Sequence, residues 1–168
     1  MSVEWTRDLA LEHEELDHEH ALLFARLDAV SALLDTGAPA EIEQAVAALA
    51  DALVSHLAAE EALMEEAHYP ERGRHKSAHE LFVADFLRMR AELREEGPTP
   101  FVASWLRIRI PEWLRFHIRV NDAPLAAHLA RPHPGPQPRP QPRPQPRPQP
   151  DDLRPRKRRR RRDGGRPA

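Results

Sequence analysis

His56-Leu57-Ala58-Ala59-Glu60 and His75-Lys76-Ser77-Ala78-His79 decide how this chain folds. Each stretch sets two metal-capable side chains four residues apart, and on an α-helix such residues share one face, one turn from each other. His20 lies upstream of them, and His117 and Asp122 lie downstream. Seven donors, His20, His56, Glu60, His75, His79, His117 and Asp122, therefore fall on four helix-like stretches at spacings that let them converge on one point. One histidine pair would be ordinary surface or core decoration; seven ordered donors on four helices describe a two-metal site. Imidazole nitrogen and carboxylate oxygen suit iron, manganese or zinc. The chain has no cysteine, which excludes disulfides, thiol chemistry and thiolate-held clusters.

The surrounding sequence supplies the helices. In residues 16–34 the apolar positions Leu16, Leu23, Leu27, Val30 and Leu34 recur at helical steps, and Asp35-Thr36-Gly37-Ala38-Pro39 stops the run. Residues 40–66 are rich in alanine and leucine, with Glu41 and Glu43 near the start, where acids favour the helix dipole. A third helix is expected over 71–95, closed by Gly97-Pro98, and a fourth over 100–129. Connections of a few residues imply antiparallel neighbours, hence an all-α, up-down-up-down antiparallel four-helix bundle.

Two prolines interrupt the fourth helix. Pro111 predicts a kink or break, because an interior proline costs roughly 3 kcal/mol unless it starts a new helix. Pro124 bears on the site. Five residues on an ideal helix turn Asp122 about 140° away from His117, and a locally widened turn would bring it back. Pro124 lacks an N–H and frees the carbonyl of Val120, which is where a π-type bulge is tolerated.

Charge divides the chain near Ala130. Before that point 12 Lys and Arg face 24 Asp and Glu, a net of −12; from Arg131 onward 13 basic residues face 3 acidic ones, a net of +10. The expected organisation is a metal-binding bundle over 1–130 and a disordered Pro/Arg-rich basic tail over 131–168. The tail holds 12 of the 18 prolines, with Leu153 its only large apolar residue, too little to offset ordering entropy. Every second residue from Pro132 to Pro150 is proline, a pattern for polyproline II reaching about 55 to 60 Å at about 3.1 Å per residue. The arginines that follow form a charge brush for an anionic partner, nucleic acid or anionic lipid, with no interleaved aromatic to read bases. A tail without a partner, or one folded back on the acidic body, is the competing reading. The N-terminus has no signal-peptide pattern and no stretch reaches roughly 18 apolar residues, so a cytoplasmic protein without a transmembrane segment is expected.

The segments Leu16-Asp17-His18-Glu19-His20-Ala21-Leu22-Leu23-Phe24, His56 to Met64, Tyr69-Pro70, His75 to Phe82, and Trp113-Leu114-Arg115-Phe116-His117-Ile118-Arg119-Val120-Asn121-Asp122 resemble the hemerythrins, specifically bacteriohemerythrin-type domains. The resemblance covers about residues 5–129. It implies a non-haem di-iron centre that reversibly binds O2, with two iron ions cycling between Fe2+ and Fe3+ and bridged by oxo or hydroxo and by carboxylates. In that frame His75, His79 and His117 would hold one iron, His20 and His56 the other, and Glu60 and Asp122 would bridge; the iron with two histidines would be open to O2. Residues matching Trp113, Leu114 and Ile118 line the family's O2 pocket, and Leu57, which adjoins His56, and Phe24, one turn from His20, would complete the apolar sleeve. Three positions depart from the family: Glu12 for the usual glycine, Leu57 for phenylalanine and Leu125 for a frequent tyrosine.

An O2-binding protein for storage, delivery or sensing is therefore the expected function, and no catalytic residue is assigned. A di-iron oxidase or peroxide-reducing enzyme is the alternative, weakened by the histidine-rich set, since ferritin-like oxidases use carboxylate-rich sites. A third reading is an O2 or iron sensor tethered through the tail. Elsewhere plainer roles are expected. His13, His18, His68, His128 and His133 read as solvated, Glu61 as a surface acid, Met64 and Phe82 as packing. Arg107, Arg109, Arg115 and Arg119 read as a solvated face of the fourth helix that could also meet an acidic partner.

Overall fold

A computed structural model describes residues 4–131. Residues 132–168, and with them His133, the expected tail disorder and its anionic partner, lie outside the described residues. Within them every regular element is helical. A short 3-10 turn, Arg7–Leu9, precedes α1 (Glu14–Thr36), α2 (Pro39–Glu66) and α3 (Arg72–Glu96). A fourth rod then combines α4 (Pro100–Ser104), a π-helical turn (Trp105–Arg109), α5 (Ile110–His117), a second π-helical turn (Ile118–Asp122) and α6 (Ala123–Leu129). The predicted helices agree with these bounds to within two residues.

Local chemistry sets the ends. Pro39 and Pro100 occupy first-turn positions, where the missing N–H costs nothing. The Glu41 carboxylate accepts from the Ala38 N–H, and the Thr99 hydroxyl oxygen accepts from the Val102 N–H, satisfying donors the helix leaves unpaired. α2 ends in a Schellman motif: His68 takes a positive φ of 49°, its N–H bonds to Glu65 O and the Tyr69 N–H reaches back to Met64 O. Gly97, with φ at 80°, closes α3. Glu12 also sits at positive φ, 58°. A side chain at such a φ costs roughly 1 to 2 kcal/mol.

The rods pack in a ring: α1 on α2, α2 on α3, α3 on α4, and the first π turn back on α1. The core they enclose runs through Leu23, Leu27, Val30, Val46, Leu49, Leu53, Phe86, Met89, Leu106 and Ile110. α2 alone among the described helices is long and apolar enough by composition to cross a membrane. Its apolarity is that of a core helix, with Ile42, Val46, Leu49 and Leu53 buried in the bundle.

On the fourth rod Arg109 and Arg119 are exposed, as the expected solvated face requires, while Arg107 and Arg115 are half-buried. Arg107 ties to Asp35 at 2.6 Å and to the Ser31 carbonyl at 3.1 Å, and Arg119 pairs with Asp8. Arg109 and Arg115 lie over the rings of Trp105 and Phe24. These are contacts within the bundle.

Candidate metal centre

All four rods send donors to the middle of the bundle. α1 brings His20, α2 brings His56 and Glu60, α3 brings His75 and His79, and the fourth rod brings His117 and Asp122. All seven are buried, none more than 3% exposed. The second π turn makes the last pair possible. In it the Ala123 N–H bonds to Ile118 O, five residues back, so His117 and Asp122, five apart, stand about one turn from each other. Pro124 follows directly, as the sequence predicts.

The donor atoms form two groups, in each of which all lie within 4.8 Å of one another: Glu60 with His75, His79 and His117, and His20, His56, Glu60 and Asp122. In the first, Nε2 of His117 is 3.0 Å from Nε2 of His75 and 3.0 Å from Nε2 of His79. The carboxylates face both ways. Glu60 Oε2 lies 3.6, 3.1 and 3.8 Å from Nε2 of His75, His79 and His117, while Oε1 lies 3.5 Å from His56 and 3.9 Å from His20. Asp122 divides likewise, with Oδ1 3.1 Å from both His75 and His117 and Oδ2 3.3 Å from His20. An oxygen offered to each group is the arrangement that lets one carboxylate bridge two cations.

The residues fit a cationic occupant. Both oxygens of Glu60, both of Asp122 and both ring nitrogens of His20 are buried with no aligned hydrogen-bond partner among the described residues. Two buried carboxylates left so would be costly without positive charge between them. In the protein without metal, imidazole supplies it. Burial disfavours a proton on His117, but the carboxylates of Asp122 and Glu60 outweigh burial and push its pKa up to about 9; His75 is raised by the same balance. Burial would raise Asp122, yet His117, His20 and His75 hold it well below the usual carboxylate range. Burial and the charge of Asp122 oppose ionisation of Glu60, and His117, His75 and His79 still pull it below that range. A metal ion would compete with these protons for the same nitrogens.

Behind the donors stand residues the sequence reading passed over. Glu19 Oε2 is 2.7 Å from Nδ1 of His56, and the Asn121 carboxamide is 3.1 Å from Nδ1 of His117. Glu61, expected at the surface as a plain acid, reaches Nδ1 of His79 at 3.3 Å while its other oxygen holds Lys76 at 2.5 Å. The available signal was position: Glu19 precedes His20 and Glu61 follows Glu60. His13 caps α1, accepting weakly from the Leu16 N–H at 3.4 Å, and His128 meets the Ala67 carbonyl at 3.1 Å; neither is merely solvated. His18 is exposed, as expected.

Among the sleeve residues, Phe24, Leu57, Leu114 and Ile118 are buried in one apolar cluster. Trp113 is half-buried and stacks on His117 at 4.4 Å and on Phe82 at 3.8 Å, which puts its ring beside the three-histidine group. Met64 is fully buried and Phe82 nearly so, packing residues as read.

Residues 11–129 match the family model described as the hemerythrin HHE cation binding domain. The chain belongs to the hemerythrin family. Its hemerythrin relatives include the bacteriohemerythrin of Stenotrophomonas maltophilia, 32% identical over 139 residues, 77% of this chain and 87% of that protein. The bacteriohemerythrins of Pseudomonas paraeruginosa and Pseudomonas aeruginosa are 31% identical over 121 residues, 71% of this chain and 76% of theirs. A hemerythrin domain implies iron, and the buried histidine and carboxylate cluster is suited to hold it.

Proposed function

We propose that this protein reversibly binds O2 at a centre of two iron ions, acting as a binding protein rather than an enzyme. The observation that carries this reading is the division of the two carboxylates between the groups: Glu60 turns one oxygen toward His75, His79 and His117 and the other toward His56 and His20, and Asp122 turns one toward His75 and His117 and the other toward His20. In this reading His75, His79 and His117 hold one iron, His20 and His56 hold the other, and Glu60 and Asp122 bridge. Bound there, the iron pair would supply the electrons that make O2 binding reversible.

The protein's own part is to position and to exclude. Four rods in an up-down-up-down antiparallel bundle, joined by short turns, fix the donors before any metal arrives. The two-histidine side offers fewer protein donors, so it is the side with room for a small ligand. Phe24, Leu57, Leu114 and Ile118, all buried, are proposed to keep water and protons from it. Trp113 holds the His117 ring by stacking and is proposed as the outer wall of the same sleeve. Residues 1–130 are proposed as this O2-binding domain.

Two measurements on the purified full chain test the proposal. Metal analysis should give about two irons per chain. A visible absorption band should appear in air and fade under vacuum over repeated cycles. A band that never reverses while a reducing substrate is consumed would establish the enzyme reading instead.

A further inference from the structure

The two halves of the centre are supported unequally from behind. A metal-binding histidine works best with its outer nitrogen protonated and donating, which leaves the inner lone pair free and raises its basicity. His79 has such a partner in Glu61, but at 3.3 Å, and the charge of Glu61 is shared with Lys76 at 2.5 Å. His117 faces the neutral amide Nδ2 of Asn121, a group that donates and does not accept. Nδ1 of His75 and Nδ1 of His20 have no partner among the described residues. His56 differs from them all: Glu19 lies 2.7 Å from its Nδ1, and no cation stands within ion-pair distance of Glu19 among the described residues.

The place of this contact matters as well. Glu19 leaves α1 one residue before His20 and crosses to His56 on α2. Its side chain is 39% exposed while His56 is 3% exposed. A cleft of about 160 Å3 between α1 and α2, lined by Glu19, Leu23, Arg26, Ala52, Ser55 and His56, opens over the pair.

We infer that Glu19 is a positioning residue for the two-histidine half of the centre: it fixes His56 with the proton on Nδ1 and Nε2 facing inward, and its charge makes His56 a stronger donor. The inference rests on the two-metal reading above. It assigns the weaker of the two metals a carboxylate that the stronger one lacks in un-neutralised form. Because the two-histidine group has fewer nitrogens, loss of this support falls mainly on the second metal bound.

The test is a Co2+ titration of the metal-free full chain, followed by visible ligand-field absorption against a competing chelator. The unaltered chain should take up two Co2+. Glu19→Ala should weaken the second equivalent by about 10- to 100-fold and leave the first nearly unchanged. Glu19→Gln keeps an oxygen to accept the Nδ1–H but no charge, and should fall between; Glu61→Gln should cost less than Glu19→Gln. In the Zn2+-loaded protein the Nδ1–H proton of His56 should give a strongly downfield NMR signal that moves upfield in Glu19→Gln. Uptake of fewer than two ions by the unaltered chain overturns the two-metal reading and this inference with it. Two ions bound, with the second affinity of Glu19→Ala within about twofold of the unaltered chain, overturn the inference alone. So does an equal loss at both equivalents, which would mark damage to the fold, or a Glu19→Gln protein identical to the unaltered one.

Discussion

The fourth rod contains two π turns that look alike and do different things. Trp105–Arg109 ends just before Ile110 and Pro111, and Ile118–Asp122 ends just before Ala123 and Pro124. In both, an N–H bonds five residues back, Ile110 to Trp105 and Ala123 to Ile118. In both, a proline that cannot donate and that crowds the preceding turn accounts for the widening. The outcomes diverge. The first turn lays Leu106 into the core and sends Arg107 across to Asp35 and Ser31 of α1; the second brings His117 and Asp122 into one site. The same backbone device serves docking in one place and chemistry in the other, and the difference lies in the side chains its rotation delivers.

The largest test of that contrast removes a donor. His117→Ala should lose an iron, seen as a fall to one iron or fewer per chain by mass-spectrometric metal analysis; retention of two irons would break the assignment of the second turn to the site. The prolines come next. Pro124→Ala restores a donor for the Val120 carbonyl and should let the turn relax toward α geometry, so its iron content should fall between those of His117→Ala and the unaltered chain. Pro111→Ala should keep its full iron. Equal iron in both variants would show that the second turn is held by the site and not by its proline.

Leu114, on the α5 stretch between the turns, is 1% exposed. Leu114→Ala should keep both irons, lose about 2 to 5 kcal/mol of stability to urea, and turn faster to the inactive diferric form, followed by its absorption in air. Iron loss on that substitution would instead make the sleeve part of metal retention. The smallest effect belongs to the first turn. Arg107 and Asp35 are 36% and 69% exposed, so Arg107→Ala should cost less than about 1 kcal/mol in thermal unfolding and leave iron untouched.

Much of this was legible in residue order. The four helices follow from apolar recurrence and from proline and glycine at the breaks, local signals that survive without tertiary knowledge. The seven donors were legible because helical spacing converts number into direction, and even the exception, Asp122, announced itself through its five-residue offset and the proline after it. Glu19 and Glu61 were not legible. Exposed acids beside ligands are common on amphipathic helices, and only the packing of α1 on α2 and of α2 on α3 shows that these two point at a ring nitrogen. The partners of the four arginines of the fourth rod were not legible for the same reason, since a charge on a helix face says nothing of what the neighbouring helix presents.

The sequence by itself determined the helices, their breaks, the donor set and the need for a widened turn before Pro124, because these depend on period, backbone hydrogen bonding and ligand chemistry within a few residues. The tertiary structure alone decided which carboxylate oxygen faces which histidines, which nitrogen has a partner behind it, and that the two halves of the site are backed unequally. Those are distances of about 3 Å between residues up to a hundred positions apart, and only the packing of four helices sets them.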